Sequence, residues 1–166
     1  MITTTLNKIR EHQPCTNGWK KLLAHLGKTE ADDEPLPFST ILESNGLDDA
    51  LWCCRAAPEY DKEWRLFAVW CARQVRHLMK DSRSLNALDV AERFANGLAT
   101  EDELKAAWDA AGDAAWDAAW SAARTAAGAA GAAAEAAWAA GAARTAARYA
   151  AQEKQSQEFL RIVEGK

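Results

Sequence analysis

The feature that most constrains the fold of this 166-residue chain is an alanine-rich stretch over residues 106–151. It holds 27 alanines in 46 residues and contains no proline. Alanine has the highest intrinsic helix propensity, whereas a proline would interrupt a helix. We therefore predict that this stretch is helical even where tertiary packing supports it little.

A long helix is predicted to begin just before this stretch, because Thr100 followed by Glu103 forms a capping box. One unbroken helix over residues 101–163 would be roughly 95 Å long at 1.5 Å per residue, which is too long for a compact domain of this size. We expect a break at Gly128-Ala-Ala-Gly131, since glycine costs up to about 1 kcal/mol relative to alanine in a helix interior. This half is therefore predicted to form a long alanine-rich helical hairpin.

One face of the alanine-rich stretch carries only small side chains when it is projected on a helical wheel. Such a face lets two helix axes approach at or below the low end of the usual range of roughly 8–10 Å. The partner could be an internal helix or another copy of the chain, or the stretch could be simple alanine packing without a special role. The candidate helix-packing face consists of Ala111, Ala118, Ala122, Ala129, Ala136, Ala140 and Ala147.

The opposite part of the same wheel combines tryptophans with carboxylates. Exposed aromatic side chains beside charges are typical binding anchors, but the favoured use of this face is to cover the short-helix half of the chain. The carboxylates recur every four residues near a helix N-terminus, where the helix dipole favours negative charge, so they predict a solvated ridge or a mimic of a phosphate row. The candidate partner-binding residues are Asp109, Asp113, Asp117, Trp116, Trp120 and Trp138, with Trp108 on the neighbouring turn.

The first hundred residues contain most of the large apolar side chains and are predicted to form a bundle of short helices. Each apolar segment recurs with a helical period and has its own start or stop signal. No segment alternates with period two for long enough to predict a strand. The predicted N-caps are Thr5, Thr16 and Asp48, and the predicted stops are Gly27, Asn45-Gly46 and Gly97.

Residues 61–79 form the most regular amphipathic segment of this half. A further helix is expected from Ser84, and residues 28–37 are predicted to be a solvated acidic loop because they contain two prolines. The apolar stripe of the 61–79 segment consists of Trp64, Phe67, Ala68, Cys71, Val75 and Leu78. Trp19, Trp52, Trp64 and Trp70 are interpreted as core residues.

The charge balance and the absence of a long apolar run narrow the class of protein. Twenty Lys and Arg against 24 Asp and Glu give a net charge of −4, which makes nucleic acid and anionic membranes unfavoured partners. The N-terminus lacks the apolar core of a secretory signal, so a cytoplasmic protein is expected. We predict a single all-α domain over residues 1–166, with a short-helix half (1–100) and an alanine-rich half (101–166).

No set of residues predicts an active site or a metal site. Cys53 and Cys54 are adjacent on one predicted helix and point about 100° apart, so they do not suit a tetrahedral zinc site together with Cys71 and His77. All four cysteines are interpreted as reduced thiols. Cys53, Cys54 and Cys71 are also interpreted as small buried hydrophobes. No phosphate loop or nucleophile–base pair occurs, so we expect no catalytic residues, no cofactor and no enzymatic activity.

The chain resembles a family of small bacterial and phage immunity proteins over roughly residues 42–151. The likeness rests on three blocks and the alanine-rich tail that follows them: GLDDALW (46–52), RLFAVWCAR (65–73) and ALDVAERFANG (87–97). The resemblance implies a protein that binds and neutralises a partner protein, such as a toxin or a host-defence protein, without catalytic residues. The alternative is a phage or bacterial assembly protein that self-associates, for example as a homodimer, through its alanine-rich helices.

Overall fold

The fold is predominantly helical, which confirms the predicted all-α class. The computed structural model describes the backbone of residues 1–128 and 133–165, and the side chains of 1–77, 79–115 and 147–165. Within these residues there are eight α-helices and one minor sheet of two strands. None of the described helices is both long enough and apolar enough to span a bilayer.

The helices follow one another with short connections. Three 3₁₀ turns, Cys54–Ala56, Pro58–Tyr60 and Arg76–Leu78, lie between them. The α-helices are α1 (Leu6–Glu11), α2 (Thr16–Leu26), α3 (Phe38–Asn45), α4 (Leu47–Cys53), α5 (Asp61–Arg73), α6 (Ser82–Ala95), α7 (Glu101–Gly128) and α8 (Ala133–Glu164).

The described residues of the alanine-rich stretch belong to two long helices. Helix α7 ends at Gly128, the first glycine of the predicted break, and α8 begins at Ala133. Residues 129–132, which include the rest of that break, lie outside the described residues. The capping box at the start of α7 is confirmed, because the Thr100 N–H donates to Glu103 Oε2 at 2.7 Å and the Glu103 N–H donates to Thr100 Oγ1 at 3.2 Å.

Several helix starts differ from those that the sequence predicts. Thr5 does cap α1, since its hydroxyl accepts the Lys8 N–H at 3.2 Å. Helix α2 is capped instead by Cys15, whose Sγ accepts the Gly18 N–H at 3.3 Å, so Thr16 is already helical.

The predicted cap of α4 and the predicted start of α6 are also wrong. Helix α4 has Gly46 as its N-cap, and Asp48 lies in its first turn. Helix α6 starts at Ser82, two residues before the predicted start at Ser84, because the Asp81 carboxylate accepts the Arg83 N–H at 2.8 Å. The predicted glycine stops are consistent with the backbone: Gly27, Gly46 and Gly97 have φ values of 65°, 92° and 72°.

A short antiparallel sheet corrects the prediction that no strand occurs. Strand β1 (Thr3–Thr4) pairs with β2 (Leu36–Pro37), with Thr4 opposite Leu36. Each strand has two residues, which is too short to produce an alternating sequence signal. Leu36 is only 5% exposed, so the end of the predicted solvated loop 28–37 belongs to the core.

The chain forms two compact units, Met1–Phe67 with Gln152–Lys166, and Ala68–Ala151. In the first unit the C-terminal part of α8 contributes to the core. Phe159 lies against three aromatic rings, with centroid distances of 6.2 Å to Phe38, 5.9 Å to Trp64 and 5.5 Å to Phe67. The largest fully buried side chains are Leu6, Ile9, Phe38, Ile41, Phe159 and Val163, all in this unit.

The second unit is built on the packing of α6 against α7. Ala87 and Val90 of α6 form a buried cluster with Ala107 of α7, and Leu104 and Ala111 pack against that cluster. These helices lie on either side of the composition boundary near residue 100, which is therefore not a boundary between the two units. The extent of the single domain over residues 1–166 stays a prediction.

Helix α5 ends at Arg73 and is therefore shorter than the predicted amphipathic segment 61–79. The stripe is wrong at two positions, since Ala68 is exposed and Val75 is 44% exposed. Val69, which is not part of the predicted stripe, is buried at 7% exposure. The stripe is correct at Phe67, which is buried.

Candidate functional site

Helix α7 has two faces of different character over residues 101–115. Ala107 and Ala114 are buried, at 5% and 3% exposure. Trp108 is 73% exposed, and Asp109 and Asp113 are exposed as well. Residues 108, 109 and 113 fall within 140° of one another on the wheel at about 100° per residue, so they share one side of the helix. We call Trp108, Asp109 and Asp113 the acidic tryptophan face.

The charges around this face are predominantly negative. The first turn of α7 contains Glu101, Asp102 and Glu103. Only Lys105 opposes them on the same helix within the described side chains, and its Nζ lies 2.9 Å from Asp109 Oδ2. That hydrogen bond with Asp109 raises the pKa of Lys105. Both partners are solvent-exposed, so the ion pair contributes little to stability and leaves the surface acidic.

The remaining predicted partner-binding residues lie further along the helices. The side chains of Asp117, Trp116, Trp120 and Trp138 are outside the described residues, although their backbone belongs to α7 and α8. Of the four alanine-half tryptophans, Trp108 is therefore the one whose environment is defined, and it is exposed.

The predicted helix-packing face is described at its two ends. Ala111 packs against the α6–α7 cluster, so an internal helix covers the small face there. Ala147 is exposed. The side chains of Ala118, Ala122, Ala136 and Ala140 are outside the described residues, and Ala129 lies in the undescribed segment.

The cysteines are free thiols in different environments. Cys53 is buried, Cys54 and Cys71 are half-buried, and Cys15 is exposed. Burial raises the pKa of both Cys53 and Cys54 to about 12, so these thiols stay protonated at neutral pH. Among the described residues there is no group of three or more His, Cys, Asp and Glu side chains that could hold a metal ion.

A cavity in the first unit is the site that sequence reasoning missed. It lies between α2, α3 and α4 and has a volume of about 90 Å³. The tryptophans at its wall, Trp19 and Trp52, are half-buried rather than fully buried core residues. Its apolar lining consists of Ile9, Pro14, Trp19, Leu22, Ile41 and Trp52, and its polar lining includes Cys15, Asn45 and Asp49.

Hydrogen bonds hold the polar side of this cavity in one arrangement. The Ser44 hydroxyl donates to Asn45 Oδ1 at 2.6 Å, which orients the Asn45 amide. Asn45 Nδ2 then donates to the Gly18 carbonyl at 2.9 Å and to Asp49 Oδ2 at 2.7 Å. The Asp49 carboxylate is therefore positioned by α3 and accepts a hydrogen bond that suits its ionised form.

Gly18 makes room for that carboxylate. A Cβ at this position would lie 2.8 Å from Asp49 Oδ2 and 3.1 Å from Cys15 Sγ. Glycine is a poor helix former, so its presence in the first turn of α2 is explained by this close approach. Gly18, a glycine within a predicted helix, is the one feature of the sequence that could have indicated the cavity.

The lining of the cavity was not predictable as a set, because its members come from the four helices α1 to α4, over residues 9 to 53 of the chain. No spacing within one helix brings them together. Trp19 and Trp52 were interpreted as core because they lie among large apolar residues in the sequence.

Comparison of the chain with family models, with curated proteins and with solved structures gives no match. The resemblance to immunity proteins therefore stays a prediction.

Proposed function

We propose that this chain is a non-enzymatic helical binding protein that neutralises a partner protein, such as a toxin or a host-defence protein. The observation that supports the proposal is the acidic tryptophan face, in which Trp108 is 73% exposed. A large aromatic side chain held in water on a rigid helix has no role in the core of its own unit. The rear of the same helix, at Ala107, is already packed against α6.

The chemistry of this face favours a basic partner with an apolar pocket. Tryptophan is enriched among the few residues that provide most of the binding energy of an interface. The carboxylates of Asp109 and Asp113 would attract a positively charged surface and speed its association. The net charge of −4 acts in the same direction.

The proposal is tested by identifying the partner and rebuilding the complex from purified components. The chain is cross-linked in its native host, and the cross-linked protein is then expressed separately and titrated with the purified chain. We expect a stoichiometric complex with a different protein whose toxic or defensive activity falls when the complex forms. Self-association alone would contradict the proposal and support the alternative assembly protein.

Two matched variants then locate the binding surface. Trp108→Ala is expected to weaken the complex by at least about 30-fold, the effect of losing an interface anchor worth about 2 kcal/mol. The control is Leu98→Ala, which removes an equally exposed apolar side chain from the turn before α7, since Leu98 is 68% exposed. Equal binding by wild type and Trp108→Ala would place the interface elsewhere.

A further inference from the structure

We propose that the cavity between α2, α3 and α4 binds a small organic ammonium ion. The ammonium group pairs with the Asp49 carboxylate, and a short branched apolar chain packs against Trp19, Leu22 and Trp52. The site is independent of the acidic tryptophan face, which lies in the other unit. Its failure would therefore leave the proposed function untouched.

The size and lining of the cavity define the apolar part of the ligand. A volume of about 90 Å³ is smaller than the cavity of roughly 150 Å³ that holds a benzene ring. A branched aliphatic group therefore fits better than an aromatic ring. Mostly apolar walls with a few fixed polar groups are typical of ligand sites, and here Asn45 and Asp49 are those groups.

The charge of the ligand follows from Asp49. It is the one acidic side chain in the cavity lining, and within the described residues no Lys or Arg forms an ion pair with it. Arg55 is the cation nearest to Asp49 in the sequence. It is engaged elsewhere, with Cζ 4.4 Å from the centre of the Trp52 ring and Nε donating to the Trp52 carbonyl at 2.8 Å.

One oxygen of the carboxylate is left for a ligand. Asp49 Oδ2 accepts from Asn45, whereas Oδ1 has no hydrogen bond within the described structure. Burial is the main cause of the raised pKa of Cys53 in the cavity lining; the charge of Asp49 raises that pKa further, and the charge of Arg55 lowers it. An ammonium N–H can pair with the free oxygen without displacing Asn45, which is why a cation is favoured over a neutral or anionic ligand.

The test uses 3-methylbutylammonium and its neutral counterpart 3-methylbutan-1-ol as probes of the wild-type protein. Binding is followed by the indole N–H signals of Trp19 and Trp52 in ¹H–¹⁵N spectra. We expect saturable shifts for the ammonium with a Kd on the order of 1 mM, reasonable for about six heavy atoms, and about tenfold weaker binding of the alcohol.

A second readout uses Cys15, the exposed cysteine of the cavity wall. The ammonium should slow alkylation of Cys15 by iodoacetamide and leave Cys71, in the other unit, unaffected. Asp49→Asn keeps a side-chain oxygen that can accept from Asn45 but removes the charge, and it should weaken ammonium binding about tenfold. The control is Asp48→Asn, which neutralises the exposed neighbour on the same helix and should change nothing.

Two results would overturn the proposal. Equal affinity of the wild type for the ammonium and the alcohol would show that Asp49 does not bind the ammonium group, whether or not the Asp49→Asn variant folds. No shift of either indole signal at 50-fold the expected Kd, together with no protection of Cys15, would remove the site itself.

Discussion

Gly18 occupies the first turn of α2, at a position where almost any other residue would favour the helix more. Its hydrogen atom faces the Asp49 carboxylate, which Asn45 holds in place. A conformational preference of one residue is therefore overruled by the position of a side chain 31 residues further along the chain. The same approach builds the polar wall of the cavity.

Gly18→Ala is expected to destabilise the protein although alanine is the better helix former. The added Cβ would lie 2.8 Å from Asp49 Oδ2, and moving the carboxylate breaks its hydrogen bond with Asn45. Overpacking costs about 1–3 kcal/mol, which exceeds the gain of up to about 1 kcal/mol from helix propensity. The free energy of unfolding, measured in urea, should fall by about 1–2 kcal/mol.

The control for this substitution is Gly112→Ala in the interior of α7. Within the described residues, no heavy atom other than those of its chain neighbours and of the α7 backbone lies within 4 Å of a Cβ built at Gly112. The variant should therefore be more stable than the wild type by about 0.5–1 kcal/mol. Stabilisation by both substitutions would show that Asp49 moves aside freely.

Helices α1, α2, α6 and α7 each begin where a side chain accepts a free N–H group of the first turn. Asp81 does so for α6, and its carboxylate also receives two hydrogen bonds from the Arg83 guanidinium, at 3.0 and 2.8 Å. These side-chain hydrogen bonds, followed by the bond from the Arg83 N–H, lower the pKa of Asp81 to about 2. The start of α6 is therefore sensitive to acid.

The stability of α6 is expected to depend on pH through Asp81. Because the pKa is about 2 in the folded protein and 3.8 ordinarily, the ionised carboxylate stabilises the fold above the ordinary value. This contribution is lost as the pH falls from about 4 towards 2. Asp81→Asn keeps the capping oxygen but does not ionise, so its melting temperature should lie below that of the wild type at pH 6 and approach it at pH 2.5.

The control for this prediction is Glu43→Gln, which removes an exposed carboxylate of α3. Glu43 forms no hydrogen bond or ion pair within the described structure. The difference in melting temperature between this variant and the wild type should be small and nearly independent of pH. A pH-independent difference for Asp81→Asn as well would contradict the assigned role of its charge.

The contact between α6 and α7 depends on small side chains. Ala107→Leu would insert a larger side chain against Ala87 and Val90, where Ala107 is only 5% exposed. We expect a loss of about 1–3 kcal/mol in the free energy of unfolding. Ala106→Leu changes the exposed neighbour on the same helix and should alter stability by less than about 0.5 kcal/mol. Equal effects would mean that the contact has room for a larger side chain.

In the first unit, the C-terminal end of the chain is hydrogen-bonded to its N-terminal end. The Ile2 N–H donates to the Val163 carbonyl at 2.6 Å, and the Phe38 N–H donates to the Ile2 carbonyl at 3.2 Å. Phe159 and Val163 are both fully buried. The C-terminal part of α8 is thus a structural part of the first unit.

Phe159→Ala is expected to be among the most destabilising single substitutions in the first unit. It would remove a ring that contacts three other aromatic side chains and is 0% exposed. Truncating a buried phenylalanine costs about 3–5 kcal/mol. Tyr149→Ala is the control on the same helix, because Tyr149 is 70% exposed, and should cost less than about 0.5 kcal/mol. Similar unfolding free energies for both variants would contradict the packing of α8 in this core.

The helical class and several boundaries followed from the sequence alone, because they depend on neighbouring residues. Alanine content predicted the helical backbone of residues 106–128 and 133–151, and Thr5, Gly27 and the Thr100–Glu103 capping box predicted ends that the structure confirms. On α7, the wheel separated Asp109 and Asp113 from the small face with Ala111, since helical period fixes which residues share a face. That the two carboxylates are exposed and Ala111 is packed was decided by the structure.

Only the tertiary structure decided the features that depend on contacts between residues distant in the sequence. The pairing of Thr3–Thr4 with Leu36–Pro37 has no local signature, because two residues are too few to show a period. The burial of Phe159 among residues 38–67 depends on the packing of the C-terminal part of α8 in the first unit. The cavity depends on the packing of α2 and α4, which brings Trp19 close to Asp49 and Trp52. Local preferences determined the elements, and long-range packing determined which of their side chains meet.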